Sequence, residues 1–513
     1  MNQTKDPKIG RFLFDSLTLG MYDNPLCVFR EYIQNSADAI DKAINSKALS
    51  ATAGEISINI DEINRIVKIE DNGAGINSKD AGLILESIGD SNKAGLSERG
   101  FRGIGRLGGM AYCAKLIFET TTANDKKITV NEWDCLKIAD MLNPLKKEHK
   151  GAVLQDIIRS CSSVRSIEDV ERRADHYFKV ELHNVNRAQD KILNVSTVRD
   201  YISQVAPVPF NHQKFPFGKQ IDEKFRKEIH NFNIFHVIVN YEEVFKPYTQ
   251  TVHLGQNKTD TIKDIVDIDV KDKAGKIIAK GWRGDRNKLD AAILKTELVD
   301  GIRVRTGNIL IGDEDLLDDV FKEKRFNAWF IGEIHTMETR LVPNARRDDF
   351  EEDNDGIRKT FYSSIKRDIG YPLSDEIRVK SKHRSKEKVV KKAEQMLLKV
   401  KDTAGIGFVG KDHRNDTIKN VKDVKKDLEE MYIKVKKPEL KKDIIKKIKD
   451  IDDTLADISR DKMNITSKIN ERYSSKEKKL IETIFGLVYE LYGKTNDRVS
   501  LVERVVKKLN RSR

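Results

Sequence analysis

A chain of 513 residues is long enough for two or three domains with separate cores, and 38% hydrophobic with 34% charged residues suits a helix-rich globular protein. No stretch approaches the roughly 18 apolar residues that span a bilayer, and the polar first ten residues lack the apolar core of a signal peptide, so a cytoplasmic protein without membrane contact is expected. The net charge of +12 is placed unevenly: residues 376–513 hold 38 Lys+Arg and 23 Asp+Glu, a net +15, leaving 56 against 59 in residues 1–375. A segment of that kind fits a solvated lysine-rich surface, nucleic acid or an acidic partner. The four cysteines, Cys27, Cys113, Cys135 and Cys161, lack C-x-x-C spacing and read as reduced core thiols.

In chain order, residues 29–44 read as a helix with Phe29, Ile33, Ala37, Ile40 and Ile44 on one stripe. Polar and apolar residues alternate over 55–60, 65–70 and 177–182, which reads as strands, and Pro207-Val208-Pro209 closes a first region near residue 210. A second α/β region is expected over 211–372. It holds a strand at 235–239, a hairpin of 265–270 and 276–281 around Lys273-Ala274-Gly275, strands at 302–311 and 328–334, and a helix at 356–369. Beyond it, Ile418, Val421, Val424, Leu428, Met431 and Val435, then Leu440, Ile444, Ile448, Ile451, Leu455 and Ile458, recur at spacings of three and four. That pattern fits helices packed on each other within one chain or on a second copy.

Three pieces carry chemistry. Glu31, Asn35 and Asp38 stand at i, i+4 and i+7, so they share one helix face away from the apolar stripe. A carboxylate there can take a proton from water, and an amide oxygen can ligate Mg²⁺. Asp71-Asn72-Gly73-Ala74-Gly75 follows a strand directly, and its glycines permit a tight turn beside a free carboxylate. Gly100-Phe101-Arg102-Gly103-Ile104-Gly105-Arg106-Leu107-Gly108-Gly109, preceded by Ser91-Asn92-Lys93, is a glycine-rich cradle expected to open a helix over 110–115. Its spacing is neither a Walker A loop nor a dinucleotide fingerprint.

Together, in this order, the pieces resemble the superfamily of DNA gyrase B, the heat-shock protein 90 chaperones, sensor histidine kinases and MutL. The resemblance implies an α/β (α+β) fold: a Bergerat-fold ATPase sandwich over 1–210, an α/β middle domain of the ribosomal protein S5 domain 2-like type over 211–372, and an all-α region over 373–513. It implies ATP and Mg²⁺ as ligands. Glu31 would be the general base, Asn35 the Mg²⁺ ligand and Asp38 part of the same motif. Asp71 would meet adenine with Gly73, Gly75 and Ile76 beside it. Ser91, Asn92, Lys93, Gly100, Phe101, Arg102, Gly103, Ile104, Gly105 and Gly108 would form the lid and phosphate contacts. One departure stands out: where the family often carries Gly-Thr before its last core strand, this chain reads Asp175-His176-Tyr177.

Among the branches, the N-terminal placement of the helix is most similar to the heat-shock protein 90 chaperones. Gly301-Ile302-Arg303-Val304-Arg305, Trp329-Phe330-Ile331-Gly332-Glu333 and Leu341-Val342-Pro343-Asn344-Ala345-Arg346-Arg347-Asp348 look like the strands and catalytic loop of their middle domain. By that resemblance Arg347, with Arg346 second, would meet the γ-phosphate, where a guanidinium clamps and offsets charge. The implied protein is a slow, gated ATPase that clamps as a homodimer and acts on protein clients or partners. The alternative is a MutL- or MORC-like ATP-driven clamp on DNA, held through the basic residues 376–513.

Overall fold

The computed structural model describes residues 10–18, 24–89, 105–123, 125–149, 151–168, 176–230, 232–255, 257–352, 354–408, 410–435, 438–460 and 473–491, with 504–506 and 508. Met1–Ile377 form one compact unit and Arg378–Arg513 a second. Among the described residues no helix is long and apolar enough to cross a membrane.

The first unit opens with α1 (Phe12–Thr18) and α2 (Cys27–Asn45), then β1 (Glu55–Asp61), β2 (Ile66–Asp71) and α3 (Ala81–Glu86). A 3-10 turn (Gly105–Ala111) leads into β3 (Cys113–Thr121), β4 (Lys127–Asp134), α4 (Cys135–Leu142), α5 (Leu154–Cys161), β5 (Ser162–Glu168), β6 (Tyr177–Val185) and α6 (Val195–Val205). After α7 (Gly218–Glu228) come β7 (His236–Val239) and β8 (Glu242–Glu243), which complete an eight-stranded sheet of order β5-β4-β3-β6-β2-β1-β7-β8. The α2 stripe packs as its periodicity requires: Phe29, Ile33, Ala37 and Ile40 are buried, and Ile44 packs against the same core. On the facing sheet Ile56, Ile58 and Ile60 of β1 and Val67 and Ile69 of β2 alternate with exposed neighbours. Asp71 continues that buried register, so a carboxylate occupies a position that the pleat assigns to the core.

Two expectations change here. Residues 110–115 are not a helix. Gly108 and Gly109 disfavour α-helix, and the alternation of Cys113, Leu116 and Phe118 with more exposed residues is that of a strand. The strand expected over 235–239 joins the first sheet, pairing in parallel with β1 from Glu55↔His236 to Ile58↔Val239, although it lies beyond residue 210. The chain returns because Phe235 N–H bonds the Pro207 carbonyl (3.0 Å) and the Asn240 amide oxygen accepts from Ile60 N–H (2.7 Å).

The second sheet has the order β13-β12-β14-β11-β10-β9, from β9 (Thr251–Leu254), β10 (Lys258–Lys271), β11 (Ile277–Arg286), β12 (Gly301–Thr306), β13 (Ile309–Ile311) and β14 (Ile331–Thr336). The β10–β11 hairpin turns at Gly275. The single strand expected over 302–311 is a hairpin, because Gly307 and Asn308 both take positive φ (56° and 61°), the geometry of a tight two-residue turn. Where strand was expected from residue 328, a 3-10 turn runs to Trp329 and β14 starts at Ile331.

Glu333 of β14 sits at the centre of a buried polar network. It accepts from Lys246 Nζ (2.7 Å), Arg305 Nε (2.7 Å) and the Tyr248 hydroxyl (3.3 Å). Burial would raise the Glu333 carboxyl, but Arg305 and Lys246 outweigh it and hold it well below the usual range. Burial, then the charge of Arg305, pushes Lys246 down to about 8. Arg305 also donates to the carbonyls of Gln204 (2.6 Å), Asn308 (3.1 Å) and Ala206 (3.5 Å), fastening β12 to the end of α6.

The unit ends in α8 (Ile357–Ile365), a π turn (Lys366–Gly370) and the start of α9 (Tyr371–Ile406). In the second unit α9, α10 (Gly410–Lys434) and α11 (Pro438–Ile458) share one core of Ala393, Leu397, Val400, Val424, Leu428, Ile444 and Ile451, followed by α12 (Ser475–Leu491). The helical periodicity is therefore satisfied within one chain, and Lys425–Asp452 (2.6 Å) and Lys447–Glu394 (2.5 Å) flank the contact.

Candidate functional site

Helix α2 is buried on both sides. Opposite its apolar stripe, Glu31 and Asp38 are only 7% and 5% exposed, and Asn35 is half-buried. Gln34, at i+3 from Glu31, shares that face and is 1% exposed. Among the described residues Glu31 Oε1 and Gln34 Oε1 accept no hydrogen bond; Arg30 Nε lies 3.7 Å from Glu31 Oε1. A buried acceptor left without a donor costs about 1–3 kcal/mol. Two such oxygens on one face, together with the Asn35 amide, are hard donors suited to a hydrated Mg²⁺. The one cluster of described acidic and histidine side chains spaced to hold an ion, Asp140, Glu148 and His149, is elsewhere on the surface, where Asp140 already pairs with Lys146 (2.7 Å).

The turn after β2 is welded to α2. The Asp71 carboxylate, 2% exposed, accepts from Gly73 N–H (2.9 Å) and from the Ser36 hydroxyl of α2. Burial pushes Asp71 up to about 7, although those two bonds pull the other way. Gly73 packs so closely that a Cβ there would lie 2.6 Å from the Ala39 methyl. Gly75, at φ +64°, has no room for a Cβ against the Thr121 carbonyl. Both glycines are thus demanded by protein packing around Asp71. Ile76 N–H donates to the Thr120 hydroxyl (2.9 Å), which donates to the Tyr177 carbonyl (2.9 Å) and ties the turn to β3 and β6.

The glycine-rich segment reaches α2 at its far end. A Cβ on Gly105 would lie 2.5 Å from Glu31 Oε2, so the chain passes directly over that carboxylate. Tyr32 fastens the 3-10 turn: its hydroxyl donates to the Arg106 carbonyl (3.0 Å) and accepts from Gly109 N–H (3.1 Å). Gly108 is buried in that turn. Ser91, Asn92, Lys93, Gly100, Phe101, Arg102, Gly103 and Ile104 lie outside the described residues.

The loop after β14 comes to the same helix. Arg30 Nη2 donates to the Arg346 carbonyl at 2.6 Å, so the residue beside Glu31 touches this loop directly. Arg346 is exposed. Arg347 is 6% exposed and has φ +55°, and its carbonyl accepts from Gly312 N–H (2.8 Å). Asp349 accepts from Arg358 and the Tyr362 hydroxyl, and Asp348 from the Asn344 amide.

The structure thus gathers Glu31, Asn35, Asp38, Asp71, Gly73 and Gly105 around one helix and brings the 346–347 loop against it. Arg30, Tyr32, Gln34 and Ser36 had passed as unremarkable helix residues. Gln34 had a signal, its i+3 spacing from Glu31.

A family described as histidine kinase-, DNA gyrase B- and HSP90-like ATPase matches residues 27–153. Residues 27–153 form an ATPase domain of that superfamily. Over 143 residues the chain is 27% identical to the chaperone protein HtpG of Rickettsia typhi, a match covering 25% of this chain and 22% of that protein. Over 148 residues it is 29% identical to the HtpG of Psychrobacter arcticus, covering 24% and 23%. The match therefore spans less than a quarter of the length of either curated relative. The ATPase-domain match and the HtpG similarity together support a heat-shock protein 90-like N-terminal ATPase domain.

Proposed function

We propose that the chain binds and hydrolyses ATP as a slow conformational switch, its site completed by the 343–350 loop. The observation that carries this reading is the Arg30–Arg346 bond (2.6 Å), which joins the helix of the ATPase domain to a loop following the second sheet. In this reading Glu31 takes the proton of the attacking water, and Asp71 accepts from the adenine amino group. The Asn35 amide would hold Mg²⁺, with the oxygens of Glu31 and Gln34 accepting from its water shell. Bound Mg²⁺ supplies neutralisation of phosphate charge. Residues 91–108 would act as the lid, and Arg347 offsets charge on the γ-phosphate. Because lid and loop both have to be in place, turnover is gated. The relatives are named as chaperones, which supports a chaperone-like role; in this reading the chain acts as a homodimer on protein partners.

The test is the mass and dimension of the protein in solution with and without a non-hydrolysable ATP analogue. A dimer that compacts with nucleotide is the expected result; a nucleotide-insensitive monomer would overturn the switch. A second reading, a clamp on nucleic acid, draws on the stretch from Arg378 to Lys392 of α9, which holds eight Lys+Arg against one Glu and buries no described side chain. Adding duplex DNA over a salt series to the same experiment separates the two, since binding with no salt dependence removes the clamp.

The ionisation of Asp71 gives a further expected result. Its carboxyl is raised from 3.8 to about 7 in the folded protein, so the folded state holds a proton that the unfolded chain releases. That contribution to stability is full below about 4 and is lost as pH rises through about 7. Adenine is held most strongly by the ionised carboxylate. ATP affinity, by equilibrium binding, should therefore rise with pH at up to about tenfold per unit and level off above about 7. A flat profile from pH 5.5 to 8 would remove Asp71 from base recognition.

A further inference from the structure

The position left open in the sequence, ahead of β6, is occupied by a residue with a defined partner. His176 is half-buried and lies one residue before β6. In the antiparallel pairing of β2 with β6, Asp71 faces Phe178. Residues two apart on a strand point to the same face, so His176 stands on the Asp71 side of the sheet, at the diagonal position.

The tautomer follows from the partner. His176 Nδ1 is 2.7 Å from the Gly73 carbonyl oxygen. A carbonyl only accepts, so Nδ1 carries the hydrogen, and Nε2 of the neutral ring is left as a bare acceptor. With its carboxylate ionised, Asp71 offers one acceptor and Nε2 of the neutral His176 ring a second, and neither residue brings a donor. A purine with an amino group at C6 brings two N–H donors to such a pair. A purine with a carbonyl at C6 brings lone pairs against lone pairs, a mismatch that polar pockets reject strongly.

We propose that His176 is a specificity-determining residue, selecting a 6-amino over a 6-oxo purine together with Asp71. This rests on the nucleotide reading given above. A competing role is structural, with His176 only stapling the 73–75 turn to β6 through Nδ1. Two substitutions separate them. His176→Asn keeps an N–H near the place of Nδ1 and removes the Nε2 acceptor. His176→Gln keeps a polar atom near the place of Nε2 and gives up the bond to Gly73.

The experiment is equilibrium binding of ATP and GTP to the full-length wild type and both variants, with thermal midpoints recorded alongside. The wild type is expected to prefer ATP, and His176→Asn to lose about tenfold of that preference, the value of one hydrogen bond, at an unchanged midpoint. His176→Gln should keep most of the preference and melt earlier. An ATP:GTP ratio unchanged in His176→Asn would overturn the proposal, as would a ratio lost only in His176→Gln. Wild-type protein that binds neither nucleotide would overturn the pocket reading itself, and this inference with it.

Discussion

Glu31→Gln is expected to bind ATP nearly as well as the wild type and to turn it over roughly 10²- to 10⁴-fold more slowly, the usual worth of a positioned base. The substitution preserves shape, and shape matters here because the chain at Gly105 passes so close over Glu31 that even a Cβ there would lie 2.5 Å from Oε2. Glu31→Ala would leave a gap under Gly105 and mix a lid defect with a chemical one. What Gln removes is the basic lone pair, since an amide cannot take the proton of water. The readouts are nucleotide affinity and single-turnover rate. Turnover within a few-fold of wild type would remove Glu31 from the mechanism.

Arg347→Ala is expected to lower turnover by about 10³-fold while changing ATP affinity by less than about threefold, as for a residue that meets phosphate charge chiefly in the transition state. The structural reason for choosing Arg347 over its neighbour is backbone strain. An arginine at φ +55° is held in a conformation costing on the order of 1–2 kcal/mol, and such strain persists where the surroundings impose it. Arg346 meets α2 through its carbonyl, an atom that every residue supplies, so Arg346→Ala should keep turnover within a few-fold. Arg347→Gly is the control, because it removes the side chain while relieving the backbone strain. Undiminished turnover in Arg347→Gly would remove the arginine from the reaction.

How much of this was legible in the sequence depended on range. The α2 stripe and the strands that became β1 and β2 could be read because their periodicity is local, and the polar triplet of α2 could be read because helical spacing places it on one face. The burial of Glu31, Gln34 and Asp38 could not, since they have the composition of a solvated helix face, and the chain at Gly105 that passes over Glu31 lies far along the sequence. Tyr32 has the look of a core aromatic, and only the fold gives its hydroxyl two backbone partners. The strand β3 was obscured by the glycines preceding it, and the sheet that β7 joins by an apparent boundary in sequence that its pairing with β1 ignores. The buried register of Asp71 was visible all along, as a charged residue at the inward beat of Val67 and Ile69.

Arg305 recognises Gln204, Ala206 and Asn308 through their carbonyl oxygens and not through their side chains. Evolutionary change is therefore unequally constrained across that junction. The bonds to Arg305 do not depend on the side chains at 204 and 206, which answer instead to Arg303, donating to the Gln204 amide oxygen (2.8 Å), and to the packed core around Ala206; Arg305 and Glu333 have few acceptable replacements, because losing either strands a buried charge. Descendants of this chain should accordingly vary at 204 and 206 only within those limits, while Arg305 and Glu333 stay fixed. Comparing residue identities across the joint would then understate how faithfully its geometry is inherited.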